Sequence, residues 1–192
     1  MWTETTNESQ EVHVSRSKAA TIVGAILFAA VCADGASGGE YWDNLDSRDE
    51  LMRGLLHTTI SLEDGIEAST RHGMPISAKY EIDKGRLQLS VVTTGDDRFD
   101  DRFWEVIIDQ RTGTVAQVGP LSGSEDRAAA PGWRRAMMKA TRSLQNAIAE
   151  AVRVHSGYRA VSAKPSLTEE RPMATVILFD GSDWKTVSID LK

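Results

Sequence analysis

From Ile76 the chain alternates. Ile76, Ala78, Tyr80 and Ile82 stand between mostly polar neighbours, the two-residue period of a half-buried strand. Asp83-Lys84-Gly85 then reads as a tight hairpin turn, and Leu87, Leu89 and Val91 resume the alternation. Trp104, Val106 and Ile108 predict a third strand, and Arg111-Thr112-Gly113 turns the chain toward Val115 and Val118. Upstream the period changes. Leu51, Met52, Leu55 and Leu56 recur at helical spacing behind SRDE (Ser47 to Glu50), which reads as a capping box. A second box, Ser61 with Asp64, opens a helix whose Leu62 and Ile66 share one face, with Gly73 and Pro75 as its stop.

Beyond Pro120 to Gly132, which reads as a connector, a similar programme follows. Trp133, Met137, Thr141, Leu144, Ile148, Val152 and His155 predict a helical stripe ended by Gly157. Val161 to Lys164 starts an extended segment, and Pro165 and Pro172 are expected to bound a loop. Met173 to Phe179 predicts a strand, Asp180 to Asp183 a turn, and Trp184 to Leu191 a returning strand.

The two stretches align. At an offset of 82, Leu51 meets Trp133, Leu55 meets Met137, Leu56 meets Met138 and Thr59 meets Thr141. The same offset pairs Ser61 with Ser143, Leu62 with Leu144 and Ile66 with Ile148. At 81, Phe103 meets Trp184, Val106 meets Val187, Ile108 meets Ile189 and Asp109 meets Asp190. Apolar positions held in step over that many residues argue for a helix-plus-hairpin unit written twice. The fold class expected is α+β: two helix-plus-antiparallel-sheet units after an N-terminal signal segment.

The strands carry more apolar residues than one covered face needs. Trp104, Val106 and Ile108 point one way, Phe103 and Ile107 the other. Met173, Thr175, Ile177 and Phe179 oppose Ala174, Val176 and Leu178. Both faces therefore call for cover: by the other unit of the same chain, by a second chain, or by a peptide or apolar ligand. Phe103, Ile107 and Trp184 are the candidate interaction face.

Composition narrows the function class. The chain has 192 residues, 41% hydrophobic and 26% charged, with a net charge of −6, a balance that argues against a nucleic-acid partner. The local basic run Arg134, Arg135, Lys139 and Arg142 reads as a solvated helix face. Near the start, Arg16 and Lys18 precede fifteen uncharged residues, Ala19 to Ala33. That is short for a spanning helix and right for an export signal, with Val31-Cys32-Ala33 as the cleavage site. A short membrane anchor and a lipoprotein are the alternatives, and Val31 before Cys32 disfavours the lipoprotein. Glu4, Glu8 and Glu11 are unusual ahead of a signal core, so a start at Val12 or Val14 is a further expectation. Cys32 is the single cysteine, and cleavage after Ala33 would leave a mature chain without thiol chemistry. Residues 34–46 read as a linker.

ISLEDGIEAS, the extended AKYEI and the closing WEVIIDQRTGTV resemble the PepSY domain family. Ile60, Ser61, Leu62, Glu63, Ile66, Trp104, Val106, Asp109, Thr112 and Gly113 carry the likeness over residues 59–118, within a first unit expected over 47–119. Ser143, Leu144, Ile148, Ala151, Trp184, Val187 and Asp190 carry a looser one over residues 141–192, within a second unit expected over 133–192. The resemblance implies a small α+β unit, an extracytoplasmic location and a non-enzymatic role, with restraint of a peptidase among the roles proposed for the family.

Candidate chemistry is sparse. Asp96, Asp97, Asp100 and Asp101 crowd one loop, but the order of a calcium loop is absent and Arg98 and Arg102 lie among them. His57, His72 and His155 show no zinc-ligand spacing. Glu63 and Asp64 suit a helix start, where negative charge is favoured. No catalytic, cofactor-binding or metal residue is assigned. The expectation is an exported, non-catalytic module that contacts an envelope protein or a peptide. It touches the membrane only if the N-terminal segment stays uncleaved. A structural domain that forms a homodimer without a ligand is the alternative.

Overall fold

The computed structural model describes residues 45–95 and 102–192, which fall within one compact unit spanning Gly38–Lys192. The expected signal segment, the linker up to residue 44 and the four clustered aspartates lie outside the described residues. The order is α1 (Leu45–Leu55), α2 (Leu62–Ser69), a 3-10 turn, β1 (Met74–Asp83), β2 (Arg86–Thr94), β3 (Phe103–Ile108) and β4 (Val115–Pro120). Then follow α3 (Ser124–Lys139), α4 (Leu144–Val154), β5 (Arg159–Thr168), β6 (Arg171–Phe179) and β7 (Trp184–Asp190). The class is α+β. The seven strands form a single antiparallel sheet in the order β4-β3-β2-β1-β5-β6-β7.

The sheet is two hairpin series joined at their first strands. β1 and β5 pair over Ala78 with Ala163 and Lys79 with Ser162. Shifting β1 and β2 by 85 positions lands on β5 and β6 with equal strand lengths. Two details follow the same shift. The bulge between Pro75 and Ser77 falls at Ile76, and that between Ala160 and Ser162 falls at Val161. Both hairpins also turn through two residues of positive φ: Lys84 (49°) and Gly85 (72°), then Glu169 (49°) and Glu170 (65°). Positive φ at both central positions twists the turn to match the strands, which is why Gly85 suits its place. Under this shift Ala78 faces its own counterpart, Ala163, across the seam.

Helices cover both faces. The face of Ala78 and Tyr80 receives α2: Tyr80 donates to the Ile60 carbonyl at the head of α2. A Cβ on Gly65 would meet Leu89 Cδ2 at 2.2 Å, so glycine lets the helix sit directly on the strand. Ser61 caps α2 reciprocally with Asp64, and Ser143 caps α4 through the Asn146 amide. α4 lies beside α2, where Gln145 Nε2 donates to the Glu63 carbonyl at 3.5 Å. α3 packs on the opposite face, where Asp126 meets Lys79 and Trp133 lies against Lys164. One core runs through both halves, from Leu55, Leu62, Ile66 and Tyr80 to Leu144, Ile148, Val176 and Leu178, all 3% exposed or less. The units expected over 47–119 and 133–192 therefore share one interior.

Four local expectations are corrected. The connector over Pro120 to Gly132 is largely helix, because Ser124 begins α3 and Pro131 lies inside it. Three consecutive alanines, acidic Glu125 and Asp126 in the first turn and burial of Ala130 and Trp133 outweigh the proline and glycine. The stripe from Trp133 to His155 is two helices, broken where the Thr141 and Arg142 amides donate to the Leu191 carbonyl. Pro165 and Pro172 stand in strands, not at the ends of a loop. The β1–β5 pairing covers only Ala78–Ala163 and Lys79–Ser162, so Pro165 breaks no ladder with β1. Helix α1 begins at Leu45, ahead of Ser47, so SRDE lies within the helix and not at its cap.

Candidate functional site

Strand alternation puts Lys79, Glu81, Gln88, Ser90, Glu105, Ile107 and Gln117 on the face that α3 approaches. All of these except Ser90, with Ser122 and Gly123 just ahead of α3 and Asp126 in its first turn, line a groove of about 390 Å³. Its floor is a chain of polar contacts. Gln88 Nε2 donates to Glu81 Oε1 at 3.0 Å, and Lys79 Nζ reaches Glu81 at 2.7 Å and Asp126 at 2.8 Å. Ser90 Oγ donates to Glu105 Oε1 at 2.8 Å. Ile107 supplies an apolar spot among these groups.

The electrostatics are set by two lysines related by the 85-residue shift, Lys79 and Lys164. Burial alone would push the Lys79 ammonium down, but Glu81 and Asp126 outweigh it and its pKa is raised. Burial pushes Lys164 down, with the neighbouring Lys79 adding to the effect against Asp126, Glu125 and Glu81. Its Nζ lies 5.7 Å from the centroid of the Trp133 ring, where the π face favours a cation. The groove thus holds fixed charges of both signs, each with partners.

The three sequence-derived face residues do not form one patch. Ile107 lines the groove. Phe103 is half-buried against the core at the start of β3. Its counterpart Trp184 starts β7, stacks on Phe179 at 4.3 Å between centroids and carries the Arg48 guanidinium of α1 5.7 Å above its ring. So Trp184 is covered by its own chain. Sequence reasoning missed Lys79, Glu81, Glu105 and Gln117. Their polar alternation with Ala78, Tyr80 and Val106 was the available signal, but it does not tell a groove from a solvated face.

On the other face, burial raises the Glu63 pKa, against a backbone hydrogen bond that lowers it. His155 caps α4 and meets Tyr158 edge-on at 6.3 Å, and the His72 carbonyl accepts from Thr93. Among the described residues no group of three or more His, Cys, Asp or Glu is placed to hold a metal ion. Among the same residues no helix is long and apolar enough to cross a membrane.

No protein-family model and no curated protein matches the chain. Among solved structures it is similar to a protein of Clostridium difficile 630 described as a candidate lipoprotein. The identity is 14%, over 70% of this chain and 88% of that one, with a TM-score of 0.38.

Proposed function

We propose that the protein is a non-catalytic binding module of the cell envelope, built from two PepSY-like units fused into one sheet, and that it holds an extended polypeptide in the groove beside α3. The observation that carries this is Ile107, an apolar side chain set among paired charges on a strand face that α3 leaves partly open. An extended peptide offers such a groove alternating side chains and main-chain dipoles. The matched strand lengths, bulges and turns support the duplicated unit, and the uncharged stretch from Ala19 to Ala33 supports export. A peptidase whose pro-segment or substrate strand enters the groove is the partner that the family resemblance favours.

The test is selection of a displayed random-peptide library on the purified full chain, repeated with Ile107→Asp. Enriched peptides that lose binding tenfold or more to the variant support the reading. No enrichment, or equal binding by both proteins, rejects the groove. Unchanged hydrolysis by envelope proteases at a large excess of the protein rejects the peptidase partner.

A further inference from the structure

The sheet has two outer strands, and they differ in how they end it. β4 has six residues, a register shift against β3 and Gly119-Pro120 at its end, all devices that blunt an edge. β7 has seven residues, pairs with β6 without a register shift and contains no proline or glycine. Thr186, Val187 and Ile189 are β-branched, residues that favour strands.

The hydrogen-bond phase of β7 follows from its two ends. The Asp180 amide donates to the Asp183 carbonyl at 3.3 Å, and the Leu191 amide to the Pro172 carbonyl at 3.0 Å. With the register between them, Lys185, Val187 and Ile189 exchange backbone bonds with β6. Thr186 and Ser188 therefore turn their amides and carbonyls outward, and their side chains are exposed. Beyond them the Asp190 carbonyl already accepts Arg142 Nη1 at 2.9 Å, which closes the edge there.

We infer that this edge is an interface for a second copy of the chain, formed by antiparallel pairing of β7 with β7 about Val187. In that register Thr186 of each copy exchanges both backbone bonds with Ser188 of the other. Lys185 lies opposite Ile189, and Trp184 opposite Asp190, so no like charges oppose one another. Such a contact is isologous and closes at two copies. It also repeats the chain's own device, since the two halves already meet by antiparallel pairing of edge strands at Ala78 and Ala163. The inference is independent of the groove, which lies over β1 to β4.

The experiment is sedimentation equilibrium of the full chain at low salt. The wild type is expected to be a dimer that dissociates on dilution. Thr186→Lys with Ser188→Lys sets lysine against lysine at both exposed positions, and at least tenfold weaker association is expected. Thr186→Lys with Ser188→Glu sets lysine against glutamate in the same register and is expected to restore the dimer, which separates pairing from any loss of fold. A wild type that stays monomeric at high concentration overturns the inference. So does a dimer indifferent to the double lysine change, or a doubly charged variant that fails to recover.

Discussion

Ala78 and Ala163, related by the 85-residue shift and both fully buried, face each other across the β1–β5 seam. Their small side chains set how closely α2 and α4 approach the centre of the sheet. Ala163→Leu adds volume where the surrounding atoms have no room, and overpacking of this kind costs about 1–3 kcal/mol. The expected result is a lower urea midpoint with an unchanged slope.

Gly65 and Leu89 form a second such contact, where a methyl on the helix would overlap Leu89 Cδ2. Gly65→Ala is expected to destabilise by about 1–3 kcal/mol, despite the better helix propensity of alanine. Leu89→Val should recover part of the loss in the double variant. A double-mutant cycle on urea melts measures that coupling, and strictly additive effects would contradict the contact.

Arg159 joins the halves by a different means. Its guanidinium donates to the carbonyls of Leu55 (3.0 Å), Thr58 (3.1 Å) and Ile60 (2.7 Å), closing the bend between α1 and α2 from the far half of the chain. Arg159→Met keeps the stem but strands the Leu55 and Thr58 carbonyls and leaves that of Ile60 to Tyr80 alone, at an expected cost of about 3 kcal/mol. Arg159→Lys should recover little, because an ammonium cannot reproduce the planar fork. Thermal melts of the three proteins provide the comparison.

Much of this frame was legible in the sequence. The period-two runs located the cores of β1, β2 and β3, the apolar run Met173 to Phe179 located β6, and Ser61 with Asp64 marked the start of α2, because those signals are local. What was hidden depends on distant contacts. Pro131 and Gly132 spell a break in isolation, yet burial of Ala130 and Trp133 under the sheet holds them in α3. Pro165 spells a loop, and only its lack of a paired residue on β1 lets it stand in a strand. The apolar doubling that predicted two covered faces is met by α2 and α4 on one side and α3 on the other. The groove went unseen, since Lys79, Glu81 and Glu105 acquire meaning only when Asp126 arrives from α3.

Glu63 provides a pH signature. Burial raises its pKa above the ordinary 4.5, so ionisation opposes the fold. A group of that kind stabilises below its unfolded value, and the contribution disappears as pH rises through the folded value. Glu63→Gln stays neutral throughout. It is expected to stabilise the protein at pH 7 by under about 1 kcal/mol, since the group is partly solvated. The gain should vanish below pH 4. Urea midpoints for both proteins across pH 3 to 8 check the crossover.

The order of the strands has a kinetic consequence. β1 through β4 are neighbours in sequence and in space, and so are β5 through β7. Each series can zip up by short hairpin closures, with little chain entropy lost per step. Among the strand pairings only the meeting of β1 with β5 bridges the middle of the chain, so the slow event of sheet formation gathers at that two-pair junction.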